Sequence, residues 1–566
     1  MSCINAEMPK LFDINYNKQL PSLDVISQNT TNIANIQRYN PLYSQFFELN
    51  AQNYNQISLN HRYHFKDMNT IVDSRDKSEL TRNIFVKYSP LLDPIKYMIG
   101  KYNLDDPKTK SLPSLEMTEE TILSKVLSHQ NASYTDGFFS FLTSVVLNEH
   151  GIKHGVDFYG SFLGIQDRFK INIEDDLEYL CNSDFFNGNI GKIMTIENLD
   201  QSDRNKLMNY GSRNNKNKLV IDQESCDIQL ELELDELPGV TQIIDGETLE
   251  LEYSSDKPSD NKSRSSSESS ENTSNNSEHN YSEDDEENTR EAGDEKEDEE
   301  SVWESESDTE SDESSVAEED ETHAYIHDFP VQMICLEKCH GTLDELLVKR
   351  AMNEEMGASA LFQIIMTLII YQKMFHFTHN DLHTNNIMFV ETDQEFLDYY
   401  YNGKYYRVPT YGKIYKLIDF GRAIYKFKGK QFCSDSFANG GDAATQYNFE
   451  PFMNKKKPRL EPNYSFDLSR LACSVFDFLI DREECDITKL DKFQRIIYDW
   501  CLDDNGKNIL YKRDGDERYP NFKLYKMIAR TVHHCIPYEQ LKNPFFSQFE
   551  SGITTEQCMN IDELPC

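Results

Sequence analysis

Apolar residues fall into runs of distinct period along the chain. Between residues 56 and 89 they alternate loosely with polar ones, at Ile57, Leu59, Tyr63 and Phe65, then Ile71-Val72, then Asn83-Ile84-Phe85-Val86-Lys87. That spacing predicts short strands. Residues 117–123 predict a short helix, and residues 138–149 carry apolar side chains at helical spacing. Residues 156–163 and 331–337 read as strands. Thr342-Leu343-Asp344-Glu345 forms a capping box that starts a helix. Residues 358–377 predict a helix with the most apolar stretch of the chain. It is short for a membrane span and carries Gln363, Gln372, Lys373 and His376, so it reads as a buried core helix. Residues 390–416, rich in tyrosine, predict an extended hairpin. Helices are predicted to start at Phe466 and to cover residues 493–500 and 522–533. Residues 1–50 are polar, Asn-rich and without a clear period.

Charge changes the picture in one place. The formal net charge is -41, and residues 221–322 hold about 38 acidic against about 5 basic side chains, so most of it is local. Such a net charge argues against nonspecific binding to nucleic acid or anionic membrane. With few apolar residues to offset the entropy of ordering, residues 224–322 are expected to be disordered. Ser282, Ser305, Ser307 and Ser311 precede acids and suit acid-directed kinases, so this segment is either a solubilising insert or a tail for a partner or modifying kinase. The twelve cysteines are scattered, and the closest pair, Cys335 and Cys339, has no second pair at metal spacing. Residues 1–16 have neither a basic start nor an apolar core. The expectation is an intracellular, soluble chain with reduced thiols.

The chemistry concentrates in His379-Asn380-Asp381-Leu382-His383-Thr384-Asn385-Asn386-Ile387-Met388, directly after the apolar helix, and in Ile418-Asp419-Phe420-Gly421 about forty residues later. An aspartate, an asparagine five positions on, then Asp-Phe-Gly is the order in which protein kinases place a proton acceptor and two magnesium ligands. The sequence therefore resembles the protein-kinase-like superfamily, and the His-x-Asp-Leu-His-x-x-Asn form looks most like the divergent kinase-like proteins of giant DNA viruses. The resemblance implies an α+β, bilobal fold. Residues 1–50 would be an N-terminal extension and 51–223 the mostly-β small lobe, with an insertion at 90–131. Residues 224–322 would be an acidic insertion, 323–340 the end of the small lobe and the hinge, 341–550 the mostly-α large lobe and 551–566 a tail. It further implies a serine/threonine protein kinase using ATP and Mg²⁺ on a protein substrate, in a host cytoplasm or virion if viral. Asp381 would be the catalytic base, Asn386 and Asp419 the metal ligands, and Lys87 the phosphate anchor. Glu337 and Cys339 would offer backbone hydrogen bonds to adenine, and His383 would stand where a lysine usually meets the γ-phosphate. Asp467, opening the next helix, would hold the catalytic loop by its backbone.

Three departures keep alternatives open. The first glycine in the chain is Gly100, so no glycine-rich loop precedes Lys87, and Lys66-Asp67-Met68-Asn69 is the turn that could replace it. The acid that normally pairs with the strand lysine is not evident, Asp136 and Glu149 being the nearest. Asn380 replaces the arginine that normally meets a phosphorylated activation loop, although Ser434, Ser436, Thr445 and Tyr447 are hydroxyls that a kinase could modify there. A pseudokinase scaffold and a small-molecule kinase of the aminoglycoside phosphotransferase type, which shares the His-x-Asp-x-His-x-x-Asn pattern, are the competing readings.

Overall fold

In the computed structural model the described residues are 21–197 and 322–565, excepting 31, 58, 105, 482–486, 513, 514 and 553–556. The acidic segment expected to be disordered lies outside them, between the strands Met194–Glu197 and His323–Glu337. The fold is mixed α/β, with several sheets. The largest runs Ile33–Gln37, Phe158–Asn172, His323–Glu337, Ile84–Pro90, every neighbour antiparallel, and Met194–Glu197 also pairs with His323–Glu337. Residues 331–335 are buried at every position because both faces of the sheet are covered, which explains a continuous apolar run in place of alternation.

The helix Ala132–His150 covers one face. Asn131 caps it by accepting the Ser133 N–H at 3.0 Å, and Gly151 closes it in the left-handed region at φ +69°. Gly137 permits its close approach to the sheet, since a Cβ there would stand 2.3 Å from Gln332 Nε2. A smaller sheet, Tyr63–Asp67, Thr70–Asp73 and Glu79–Thr81, turns at Met68 and Asn69, within the expected replacement turn, and sets Phe65 against Phe162.

The apolar helix is Glu354–Phe375, and 94% of its most apolar window is buried inside the protein. It is long and apolar enough to cross a membrane, but here it is a buried core element: Lys492–Trp500 packs on it, and Phe466–Leu479 packs on Lys492–Trp500 and Lys523–Thr531. The tyrosine-rich hairpin forms as Phe396–Tyr401 and Lys404–Pro409.

Several expectations are corrected. Residues 117–123 are turns, because the Thr121 hydroxyl both donates to the Thr118 carbonyl and accepts its N–H, each at 3.0 Å; the helix is Ser124–Leu127. Residues 21–50 are not a bare extension: Ile33–Gln37 is an edge strand of the main sheet, with Asn32 and Asn35 at φ +65° and +56°. Asparagine tolerates that conformation, so an Asn-rich stretch hid an ordered segment. The tail is built in too, Met559–Asn560 pairing with Tyr399 and Tyr400 and Lys373 Nζ donating to Ile561 O at 2.7 Å.

His154 joins the sheet region to the hairpins. Its ring is buried, donates from Nδ1 to Tyr415 O at 2.8 Å, accepts from the Tyr399 hydroxyl at Nε2 at 2.7 Å, and stacks on Tyr399. Burial lowers its pKa to about 4, against the opposing bond to Tyr415 O. The unfolded chain takes up this proton near pH 6.5, so the stabilisation is complete above that pH and is lost as pH falls toward 4, about 3 kcal/mol in all. Melting temperature against pH should therefore fall more steeply below pH 6.5 for the wild type than for His154→Gln; equal slopes would contradict the assignment.

Candidate active site

The two chemical signals meet because of one strand register. Ile387–Glu391 pairs antiparallel with Lys413–Leu417, Ile387 opposite Leu417. Loop 379–386 and loop 418–421 therefore leave the same end of one ribbon, and the Ile418 N–H donates to Asn386 O at 3.1 Å.

Asp467 anchors the first loop as expected. Fully buried, it accepts the His379 N–H at Oδ2 and the Asn380 N–H at Oδ1, both at 2.9 Å. Asp467→Ala leaves two buried donors unpaired, at about 1–3 kcal/mol each. Chemical denaturation should show a loss of about 2–6 kcal/mol, and a loss below about 1 kcal/mol would contradict this role.

Asn380 and Asp419 both stand in the left-handed region, at φ +65° and +59°. Such strain persists where surroundings over-determine it. Asn380 meets that condition: its amide nitrogen donates to Thr378 O (3.2 Å) and Arg422 O (3.0 Å), and its Oδ1 accepts the Tyr447 hydroxyl at 2.9 Å. Tyr447 is thus buried and engaged, and Ser434 is fully buried, so of the four hydroxyls proposed for modification Thr445 is the exposed one. A carboxylate supplies a further tie: Asp435 pairs with Lys125 at 2.8 Å and accepts the Ala132 N–H at 3.0 Å, fixing this segment to the start of the Ala132–His150 helix.

Lys87 lies between two carboxylates, 3.0 Å from Asp136 Oδ2 and 3.0 Å from Asp419 Oδ1. Burial alone would lower its pKa; the two acids outweigh that and hold it well above the ordinary lysine value. Asp136 also accepts the Phe420 N–H at 2.9 Å, so one buried carboxylate joins the lysine strand to Asp-Phe-Gly. Burial raises the Asp136 pKa; for Asp419 the nearby Lys87 overcomes burial and lowers it. Glu149, the other acid weighed, pairs with Arg75 on the surface.

Asp381 is engaged at both oxygens. Oδ1 accepts the Tyr525 hydroxyl at 2.7 Å, and Oδ2 lies 3.2 Å from Arg422 Nη1. Burial would raise its pKa, but Arg422 and its neighbours hold it at about 2. His383 is held at about 4, burial outweighing the pull of Asp381, and is neutral near pH 7. Its Nε2 accepts from the Asn386 amide nitrogen at 3.0 Å, and the same nitrogen donates to Asp381 O at 2.9 Å. Those two bonds leave Asn386 Oδ1 as the atom with ligand chemistry.

Lys87, Asp136, Asp381, Asp419 and Arg422 line one cavity of about 790 Å³, whose other walls come from residues 88–133, 169–172 and 435–442. Glu337, Cys339, His383 and Asn386 are not on it. The Glu337 carboxylate accepts the Asp157 N–H at 2.9 Å and forms an ion pair with Lys416, and the Cys339 thiol is pushed up to about 12, by burial first. Lys87, Asp381 and Asp419 thus share the cavity, and Asn386 and His383 join them through the hydrogen bonds to the Asp381 loop.

Among the described residues no cluster of three or more His, Cys, Asp or Glu side chains is arranged to hold a metal ion. The donors fit Mg²⁺ nonetheless, because it takes oxygen ligands and is commonly held by one or two carboxylates together with substrate phosphates. Asp419 and Asn386 offer that set.

Two site residues escaped sequence reading, and a third, Asp136, was weighed without being assigned. Asp136 had a signal: it is an acid on a helix otherwise buried at most of its positions, and such an acid needs a partner. Arg422 adjoins Gly421 but matches no motif used above. Tyr525, about 140 residues from Asp381, has none.

No protein-family model matches the chain. It is 32% identical over 105 residues to the serine/threonine-protein kinase haspin of Mus musculus, covering 18% of this chain and 13% of that protein. With the haspin of Bos taurus it shares 31% over 131 residues, 22% of this chain and 16% of the other. It is also 26% identical over 196 residues to uncharacterized protein 098R of Invertebrate iridescent virus 6, 34% of this chain and 29% of that one. The matched region thus spans less than a third of each of these curated relatives.

Proposed function

We propose that the chain is a bilobal, protein-kinase-like enzyme that transfers the γ-phosphoryl group of ATP to serine or threonine hydroxyls of a protein. The observation that carries this reading is Lys87 held between Asp136 and Asp419 on the same cavity as Asp381. Local similarity to a serine/threonine kinase supports it. In this reading the small lobe is built on the main sheet, residues 337–340 are the hinge, and the large lobe follows to residue 550.

Mg-ATP, when bound, supplies the phosphoryl group and the metal charge that screens it. Lys87 would leave Asp419 for phosphate oxygens while keeping Asp136. Asp419 and Asn386 would hold the metal through oxygen, and Asp381 would accept or orient the acceptor hydroxyl. The turn at Met68 and Asn69 has no glycine, so phosphate recognition falls to side chains, Lys87 first. A scaffold reading is favoured by that same turn.

A thermal-shift titration separates them. Ligand at 100 times its dissociation constant stabilises by about 2.7 kcal/mol, so Mg-ATP should raise the melting temperature by a few degrees in the wild type. The Mg²⁺-dependent part of that rise should vanish in Asp419→Asn. No rise at millimolar Mg-ATP would remove the nucleotide reading.

A further inference from the structure

A general base must reach the hydroxyl whose proton it takes, at hydrogen-bond distance. In this chain a hydroxyl already stands there, and it belongs to the chain itself: Tyr525, on the helix Lys523–Thr531, donates to Asp381 Oδ1 at 2.7 Å. We propose that Tyr525 occupies the acceptor position at Asp381 and acts as an internal competitor that decides which hydroxyls are phosphorylated. The inference rests on the kinase reading above.

The surroundings show a tyrosine held in place. Its ring stacks on Phe522, centroids 5.2 Å apart, and lies 6.1 Å from the ring of Phe466. Two guanidinium groups approach it, Arg470 at 4.8 Å and Arg422 at 5.7 Å from the ring centroid. Arg422 also pairs with Asp381 Oδ2, so the tyrosine hydroxyl and the arginine together engage both oxygens of the carboxylate. The Tyr525 side chain is almost wholly buried, as expected of a fixed occupant rather than a passing surface contact. A rigid aromatic ring loses little rotamer entropy when held, so its hydroxyl is a strong intramolecular rival to an incoming one.

The competition has a direction. An acceptor bonds Asp381 Oδ1 by displacing the phenol, and the helix carrying Tyr525 must give way. That helix is tied to the segment after Asp-Phe-Gly, since Arg530 Nη2 donates to Thr445 O at 2.8 Å. An acceptor that binds this segment as well as Asp381 can loosen both contacts together. An isolated small alcohol engages one. The gate therefore selects a hydroxyl presented by a polypeptide over a free small-molecule hydroxyl.

The test compares the full-length wild type with Tyr525→Phe, using Mg-ATP, a generic serine/threonine protein acceptor and a small amino alcohol. Removing the hydroxyl should lower the KM for the protein acceptor about tenfold and raise transfer to the amino alcohol by more. The KM for ATP should stay unchanged. A merely structural tyrosine would not lower the KM for the protein acceptor while leaving the KM for ATP unchanged. Equal or lower transfer with Mg-ATP binding intact overturns the gate and leaves the kinase reading standing. No Mg-ATP binding by either protein shows instead that the kinase reading has failed, and the gate falls with it. If the Phe variant melts well below the wild type, Tyr525→Leu, which also lacks the hydroxyl, takes its place under the same criteria.

Discussion

Asp381→Asn is expected to lower phosphoryl transfer by about 10²–10⁴-fold while Mg-ATP affinity stays within a factor of a few. The substitution is nearly isosteric, and the asparagine oxygen can still accept the Tyr525 hydroxyl. It removes the negative charge that faces the acceptor and Arg422. Binding is spared because phosphate and metal contacts are assigned to Lys87, Asn386 and Asp419. The pH dependence follows from the depressed pKa. Arg422 and its neighbours hold the Asp381 carboxyl at about 2, so it is charged at neutral and mildly acid pH, and an acid limb between pH 5 and 7 must belong to another group. So weak a base suits a loose transition state, in which orienting the nucleophile matters more than early proton removal. Steady-state assays of both proteins at matched folded fraction check this. Equal rates would exclude Asp381 from the chemistry.

Lys87→Met should have the largest effect on the folded state. It removes the cation between Asp136 and Asp419, leaving two carboxylates that each lay 3.0 Å from it. Breaking a buried ion pair from one side costs about 3–5 kcal/mol. The Asp419 side chain is 28% exposed, which puts the expected loss near the lower end of that range. Adding Asp136→Asn should restore much of the stability, because a neutral amide then replaces the more deeply buried of the two carboxylates. Denaturant midpoints of wild type, single and double variants form the check. A single variant as stable as wild type, or a double variant less stable than the single, would contradict the placement of charge. Nucleotide affinity should fall in both, since neither retains the ammonium group.

Much of this arrangement was legible in sequence because its signals are local. The strand carrying Lys87, the apolar helix, the His379–Asn386 loop, Asp419 and Asp467 each carry their own pattern within a few residues, and the structure forms the elements where that pattern lies, the strand running on to Pro90. What was missed depends on distant partners. Asp136 is one acid among several until Lys87 and Phe420 N–H are seen to converge on it. Tyr525 and Asp435 act only through folding, which brings them to Asp381 and to the Ala132 N–H. Residues 21–50 and 557–565 were passed over for lack of a period, yet they supply an edge strand and a closing strand held by a few apolar anchors and backbone pairing. Tyr447 looked modifiable because sequence does not report burial.

The most direct test of the central claim follows the γ-phosphate itself. Full-length wild-type protein and Asp419→Asn would be incubated with γ-labelled ATP and a generic protein acceptor, with and without Mg²⁺. The account expects Mg²⁺-dependent labelling of the acceptor, or of the chain, by the wild type and none by the variant. Labelling absent from both, or equal in both, would contradict it.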